Sequence, residues 1–379
     1  MQTYQSCFVN GKWQAVAGQN SINESAVNLV LVFGQGALVS NTVIYADIAA
    51  KFPNATIILG STSGEIIGEE VLDDTLSLTA IIFEKTVLQA IETQVQLHTN
   101  SYDAGVFLMQ ELQNKGTDLK TVFVLSDGTF INGSELVSGM NAANTNDILI
   151  SGGLAGDAAN FATTYTGLNK PATPGNVIAI GLYGNNIEVG HGSFGGWDEF
   201  GKERVITKSD KNILYELDGH NALQLYKEYL GPYADELPGS ALLFPLSIQL
   251  EGYDKKLVRT ILTIDQEKGS MTFAGNLPEG SKVRLMKANF DKLIEASSVA
   301  AQHSQLNNQT QLAILISCVG RKLILQERTF EEVKAAANIL GEQTTICGFY
   351  SYGEISPFNK GVSCELHNQT MTITTLREI

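Results

Sequence analysis

Thr56-Ile57-Ile58-Leu59-Gly60-Ser61-Thr62-Ser63-Gly64-Glu65 holds the pattern on which the fold turns. A short apolar run of strand length ends in glycine, a polar stretch, and then glycine followed by an acid. Such an unbroken apolar strand is buried on both faces, and glycine at its end lets the backbone turn sharply. Upstream lies a second apolar run, Leu29-Val30-Leu31-Val32-Phe33. Between the two, residues 41–52 read as a helix with Val43, Ile44, Ile48 and Ala49 on its apolar positions, ended by Pro53-Asn54. Downstream, residues 77–83 and 86–91 read as a hairpin joined around Glu84-Lys85.

The order then recurs. Thr121-Val122-Phe123-Val124-Leu125 precedes a helix over 132–143, and Asp147-Ile148-Leu149-Ile150 runs into Gly152-Gly153-Leu154-Ala155-Gly156-Asp157. Residues 177–183 and 187–190 read as a hairpin turning at Gly184-Asn185-Asn186. A third copy has a strand over 312–317 and a helix opened by Thr329 with Glu332 three residues on, a capping-box pattern. It continues with 344–347, Gly348-Phe349-Tyr350-Ser351-Tyr352-Gly353-Glu354, and a closing hairpin of 362–366 with 370–375. The third turn carries one extra residue between its glycines. A fourth unit would use a helix over 221–229 and strands over 241–245, 257–264 and 282–285. The expected fold is α/β, with repeated strand–helix–strand–hairpin units forming mixed sheets in two domains, the units arranged as two pairs. The expected boundaries are 1–27 for an extension, 28–218 for the first domain and 219–379 for the second.

Composition narrows the function. Of 379 residues, 44% are hydrophobic and 17% charged, enough apolar side chain for a large core. With 25 Lys and Arg against 40 Asp and Glu, a net charge of −15 argues against nucleic-acid binding and against an anionic membrane surface. No apolar stretch reaches membrane-spanning length. Met1-Gln2-Thr3-Tyr4-Gln5-Ser6 lacks the basic and apolar regions of a signal peptide. Cys7, Cys318, Cys347 and Cys364 form no CxxC pair and read as reduced thiols. The expected location is the cytoplasm.

The glycine–acid turns are the first candidates for chemistry. Their glycines allow close approach to main-chain N–H groups, and Glu65, Asp157 and Glu354 can hold an amino group; Ser61, Ser63, Tyr350, Ser351 and Tyr352 add hydroxyls beside them. The alternative is that the glycines only make turns and the acids cap helices or face solvent. A second cluster is Gly190-His191-Gly192-Ser193-Phe194-Gly195-Gly196-Trp197, in which His191 is a candidate haem-iron ligand or a hydrogen-bonded structural residue. In Ser317-Cys318-Val319-Gly320-Arg321, Arg321 can clasp a ligand carboxylate beside Cys318 or pair with a neighbouring acid. No GxSxG, P-loop, HExxH or zinc spacing is present. Binding is favoured over turnover.

These motifs resemble those of FIST-domain proteins, with both the N-terminal and C-terminal FIST regions. The resemblance rests on Gly60 to Ile66, Gly152 to Asp157, Gly192 to Trp197, Leu214-Tyr215-Glu216-Leu217-Asp218-Gly219, Ser317 to Lys322 and Gly348 to Ile355. Ser63 stands where the family more often has Ala, and Glu199 where Pro is usual. The resemblance implies a stand-alone sensory protein of bacterial signal transduction that binds a small ligand, amino-acid-like or haem with nitric oxide. It also implies a separate partner, a histidine kinase or a cyclic-di-GMP enzyme. The rival expectation is an enzyme acting on an amino-acid-like metabolite, which requires Glu354, Cys318 and His191 to converge in one cleft.

Overall fold

The computed structural model describes residues 1–16, 21–237, 239–250, 256–307, 309–357 and 363–379. Each repeat is built around a parallel strand pair. Leu29–Gly34 pairs with Thr56–Ser61, Leu119–Ser126 with Leu149–Leu154, and Leu312–Cys318 with Thr345–Ser351. Parallel neighbours need a crossover, supplied by helices Thr42–Lys51, Gly133–Ala143 and Thr329–Leu340. Asn41 caps the first helix through Val43 and Ile44 N–H, and Asn132 caps the second through Glu135 N–H. The capping box expected at Thr329 and Glu332 does not form. Thr329 donates to Gln326 O, and Glu332 turns into the core to meet Arg321.

A third strand lies antiparallel on the other side of each pair: Leu76–Ile82, Asn176–Tyr183 and Met371–Glu378. The strand after it, expected to fold back as a hairpin, joins a neighbouring sheet instead. Val87–Gln94 pairs with Asn176–Tyr183, and Ile187–Phe194 pairs with Met371–Glu378. The N-terminal strand Gln2–Val9 pairs with Leu76–Ile82 and closes the ring. In the third unit Val362 lies outside the described residues, and Cys364–His367 pairs with Gly353–Pro357 rather than with Met371–Glu378. Each crossing covers an edge that a local hairpin would leave open.

The glycine–acid turns make the same exchange in miniature. Glu65–Ile67 from the first unit adds to Thr345–Ser351 of the third. Gly353–Pro357 from the third adds to Leu149–Leu154 of the second, and Thr166–Leu168 from the second adds to Thr56–Ser61 of the first. The three units therefore form a cycle, not two pairs.

Side-chain alternation along the strands gives the sheets two apolar faces. Leu31, Phe33, Phe123, Leu125, Ile314 and Ile316 share one central core. Their neighbours point outward: Val30 and Val32 pack with Ile44 and Ile48, Val122 and Val124 with Leu108 and Leu136, and Ala313 and Leu315 with Ala300 and Val333. Burying each large side chain contributes roughly 1.5–3 kcal/mol.

The segment expected as a fourth unit has no parallel pair among its described strands. Asp198–Asp210, Ile213–Leu217, Leu246–Gln249, Leu257–Arg259, Ile261–Asp265, Ser270–Phe273 and Lys282–Lys287 form one antiparallel sheet. Helix Ala222–Leu230 packs on it over a separate core containing Leu214, Leu223, Tyr226 and Phe273. The strand expected over 241–245 is instead the 3-10 turn Gly239–Leu243. Among the described residues no helix is long and apolar enough to cross a membrane.

Candidate functional site

The glycine–acid turns meet at one end of the central core and bond to one another through the backbone. Gly156 N–H donates to Ser61 O at 2.9 Å, and Tyr352 N–H donates to Leu154 O at 3.3 Å. Ser63 N–H donates to Tyr350 O and Tyr350 N–H to Gly64 O, both at 2.8 Å. Ser61, Ser63, Glu65, Tyr350, Ser351 and Glu354 are all buried in this knot. Ser61 Oγ accepts from Tyr165 N–H, and Ser63 Oγ donates to Ala158 O.

The acids differ in register. Glu65 stands six residues after Leu59 and Glu354 six after Gly348, whereas Asp157 stands five after Gly152, the equivalent ladder position. The extra residue counted in the third turn is thus a missing residue in the second. Glu65 accepts from Thr62 and Thr75 hydroxyls, and burial pushes its carboxyl up to about 7 against those bonds. Glu354 accepts from Ser351 and Thr370, and burial pushes it up to about 8. Asp157, out of step, points the other way. It accepts from the N–H groups of Phe161, Ala162 and Thr163 at 2.8–2.9 Å and bends that loop.

Arg321 is fully buried and commits its donors to the protein. Nε and Nη2 donate to Glu332 Oε2 at 3.0 and 2.7 Å, and the remaining N–H groups reach Gly195 O, Leu293 O, Gln369 O and Ser297 Oγ. Tyr350 and Ser317 donate to the other Glu332 oxygen. Trp197 joins the same neighbourhood by donating to Gln369 O at 2.9 Å. This hub ties the third unit together.

Cys318 is buried beside Glu354; burial first, then that charge, pushes its thiol far up. His191 lies elsewhere, with Nε2 donating to Pro357 O at 3.1 Å. Burial lowers its imidazole to about 4, against that bond. Gly190 and Gly192 serve packing: a Cβ there would meet Ser304 O and Ala300 O at 2.0 Å. A haem does not fit His191 as placed, because Nε2 is engaged and Nδ1 is enclosed without a partner among the described residues. Cys318 and Glu354 thus come together while His191 does not.

Next to the knot, a cleft of about 450 Å³ opens between the second unit and the inserted sheet. One wall is the loop Gly128–Gly133 with Phe161 and Tyr352, and the other is Asn212, Leu262, Phe273, Ala274 and Gly275. Asp157 sets the first wall. Its bonds hold Phe161 at φ 51°, an unusual conformation for a bulky side chain, and the Phe161 ring stacks on Tyr352 at 4.6 Å and 18°. Phe130 and Phe161 remain 59% and 42% exposed. The inserted sheet is held across the cleft by Lys211–Glu135 at 2.9 Å, Asn132–Asn276 at 3.2 Å, and Arg259 donating to Leu366 O at 2.9 Å.

Of the residues expected from sequence, Tyr352 lines this cleft and Asp157 shapes it; the others named above pack in the knot or hub, apart from His191. Phe130, Phe161, Thr129 and Asn212 were not anticipated. Aromatic residues inside the polar loops Asp127-Gly128-Thr129-Phe130 and Asn160-Phe161 were the available signal.

The architecture is an α/β protein of mixed sheets with an aromatic-walled cleft of ligand size. The chain belongs to the FIST family: residues 28–220 match the FIST N domain and residues 222–357 the FIST C domain. FIST domains are sensory domains that bind small ligands. A similar protein is an uncharacterised one from Methanocaldococcus jannaschii, 26% identical over 203 residues, which cover 49% of this chain and 38% of that protein. Two solved structures resemble the chain at low similarity. A chorismatase has 8% identity and TM-score 0.37 over 99% of this chain and 98% of its own. A cyanuric acid hydrolase has 10% and 0.36 over 94% and 92%.

Proposed function

We propose that this FIST protein is a cytoplasmic sensor whose small, amino-acid-like ligand binds in the cleft between the second unit and the inserted sheet. The observation that carries this reading is the makeup of the walls. One comes from the ring and the other from a sheet with its own core, so a bound molecule touches both at once. A ligand that prefers one spacing of the walls shifts the population toward it, and each tenfold preference is worth about 1.4 kcal/mol. A separate partner, a histidine kinase or a cyclic-di-GMP enzyme, would read the resulting spacing. Haem-based sensing through His191 is not part of this reading.

A thermal-shift screen with amino acids and their neutral derivatives tests it. A ligand that favours the native state raises the melting temperature, with about 2.7 kcal/mol of stabilisation at a hundredfold excess over Kd. The rise is expected to vanish in Phe130→Ala/Phe161→Ala. A ligand-induced rise unchanged in that variant would place the binding site elsewhere.

A further inference from the structure

We infer that the cleft selects an uncharged, flat ligand bearing amide N–H groups, in preference to a zwitterion or a carboxylate. This rests on the reading of the cleft as the ligand site and names the chemistry it takes.

None of the described residues lining the cleft is Asp, Glu, Lys, Arg or His. The carboxylates behind its wall are already bonded. Asp157 is held by three loop N–H groups, and Asp127 by Thr129, Phe130 and Gly175 N–H. The Lys211 ammonium lies against Glu135. An ionised ligand group seated in this cleft gives up part of its water without meeting a counter-charge, which is disfavoured. An aromatic or amide plane, in contrast, finds the exposed faces of Phe130 and Phe161 and the apolar floor of Leu154 and Phe273.

The polar atoms in the wall set the direction of hydrogen bonding. Asn212 donates its amide N–H to Phe273 O at 2.7 Å, and among the described residues its side-chain carbonyl accepts nothing. Thr129 donates its hydroxyl to Asp127 Oδ1 at 3.1 Å, so its oxygen accepts from the Thr164 hydroxyl at 3.3 Å and keeps one lone pair for a further donor. Asn132 has both ends engaged, by Glu135 N–H and Asn276. The wall therefore offers acceptors, and a matching ligand supplies donors.

Calorimetric titration of the full chain with four matched probes tests this. They are N-acetyl-phenylalanine amide (neutral), phenylalanine (zwitterion), N-acetyl-phenylalanine (anion) and phenylalanine amide (cation). The neutral probe is expected to bind at least tenfold more tightly than each charged one and to lose at least tenfold in Phe161→Ala. In Leu262→Glu, which adds a carboxylate to the wall at an already exposed position, the cation is expected to gain on the neutral probe. Equal or tighter binding of a charged probe, lost in Phe161→Ala, overturns the charge preference and leaves the cleft as the site. Absence of any Phe161-dependent binding overturns both. Circular dichroism of each variant confirms that it folds.

Discussion

Glu65 and Glu354 occupy the same position of the repeat and are held alike. Each accepts a hydroxyl from three residues earlier, Thr62 or Ser351, at 2.7 Å. Each accepts a second from the threonine before its unit's third strand, Thr75 at 2.7 Å or Thr370 at 2.9 Å. Both carboxyls sit above the usual range, at about 7 and about 8. The folded chain therefore keeps protons that the unfolded chain releases, and stability falls as pH rises from the ordinary carboxyl range toward 8. His191, lowered to about 4, acts in the opposite sense up to its ordinary value of 6.5. Between pH 6.5 and 8 the carboxyls dominate, so stability is expected to fall by at most about 1.4 kcal/mol per pH unit for each proton, and the melting temperature with it. Glu354→Gln keeps an oxygen to accept from Thr370 and reverses the Ser351 bond, its amide N–H donating to Ser351 Oγ. It is expected to flatten that decline; an unchanged slope in thermal scans argues against a protonated Glu354.

The Arg321–Glu332 pair is buried at both ends and joins six partner groups beyond itself: Gly195 O, Leu293 O, Gln369 O and the hydroxyls of Ser297, Ser317 and Tyr350. Removing one charge leaves the other unpaired in the interior, at a cost of about 3–5 kcal/mol. Urea unfolding of Arg321→Met is expected to show a loss of that order. Tyr350→Phe, which removes one hydroxyl from Glu332, is expected to lose about 1–3 kcal/mol. A near-neutral Arg321→Met would mean that the hub does not tie the third unit together.

Gly152 and Gly348 take equivalent ladder positions, at φ 149° and 153°. A Cβ would lie 2.0 Å from Val124 O at the first and 1.8 Å from Leu315 O at the second. Either glycine changed to alanine is expected to cost about 2–4 kcal/mol through strain and strand separation. Leu59, the equivalent residue of the first unit, carries a side chain, so Leu59→Gly is expected to destabilise through lost packing. Unfolding midpoints decide both.

Cys318, Cys347 and Cys364 are buried, and Cys7 is partly exposed with its thiol raised to about 11 by burial, then by Glu70 and Glu65. Thiol titration of the native protein near pH 7.5 is expected to modify Cys7 first and slowly, and all four in denaturant. Rapid native labelling of Cys318 would contradict its enclosure.

Much of this fold was legible in the chain. Runs such as Leu29 to Phe33 announce strands buried on both faces, and the recurring glycine–acid turn announces the repeat. Pairing partners were not, because a half-polar strand such as Val87–Gln94 matches a local or a distant edge equally well. Glu332 looked like half of a capping box, since its spacing from Thr329 is the same whether it faces back or inward. The cleft draws on loops near residues 130, 161, 212 and 275, which only the cyclic exchange of strands and the docked sheet bring together.

The most direct measurement is hydrogen exchange of the full chain with and without a ligand found by thermal shift. Protection is expected together at residues 128–133, at the Phe161–Thr163 amides and at 273–275, on both walls of the cleft. Protection confined to another surface, or to one wall alone, would contradict the account.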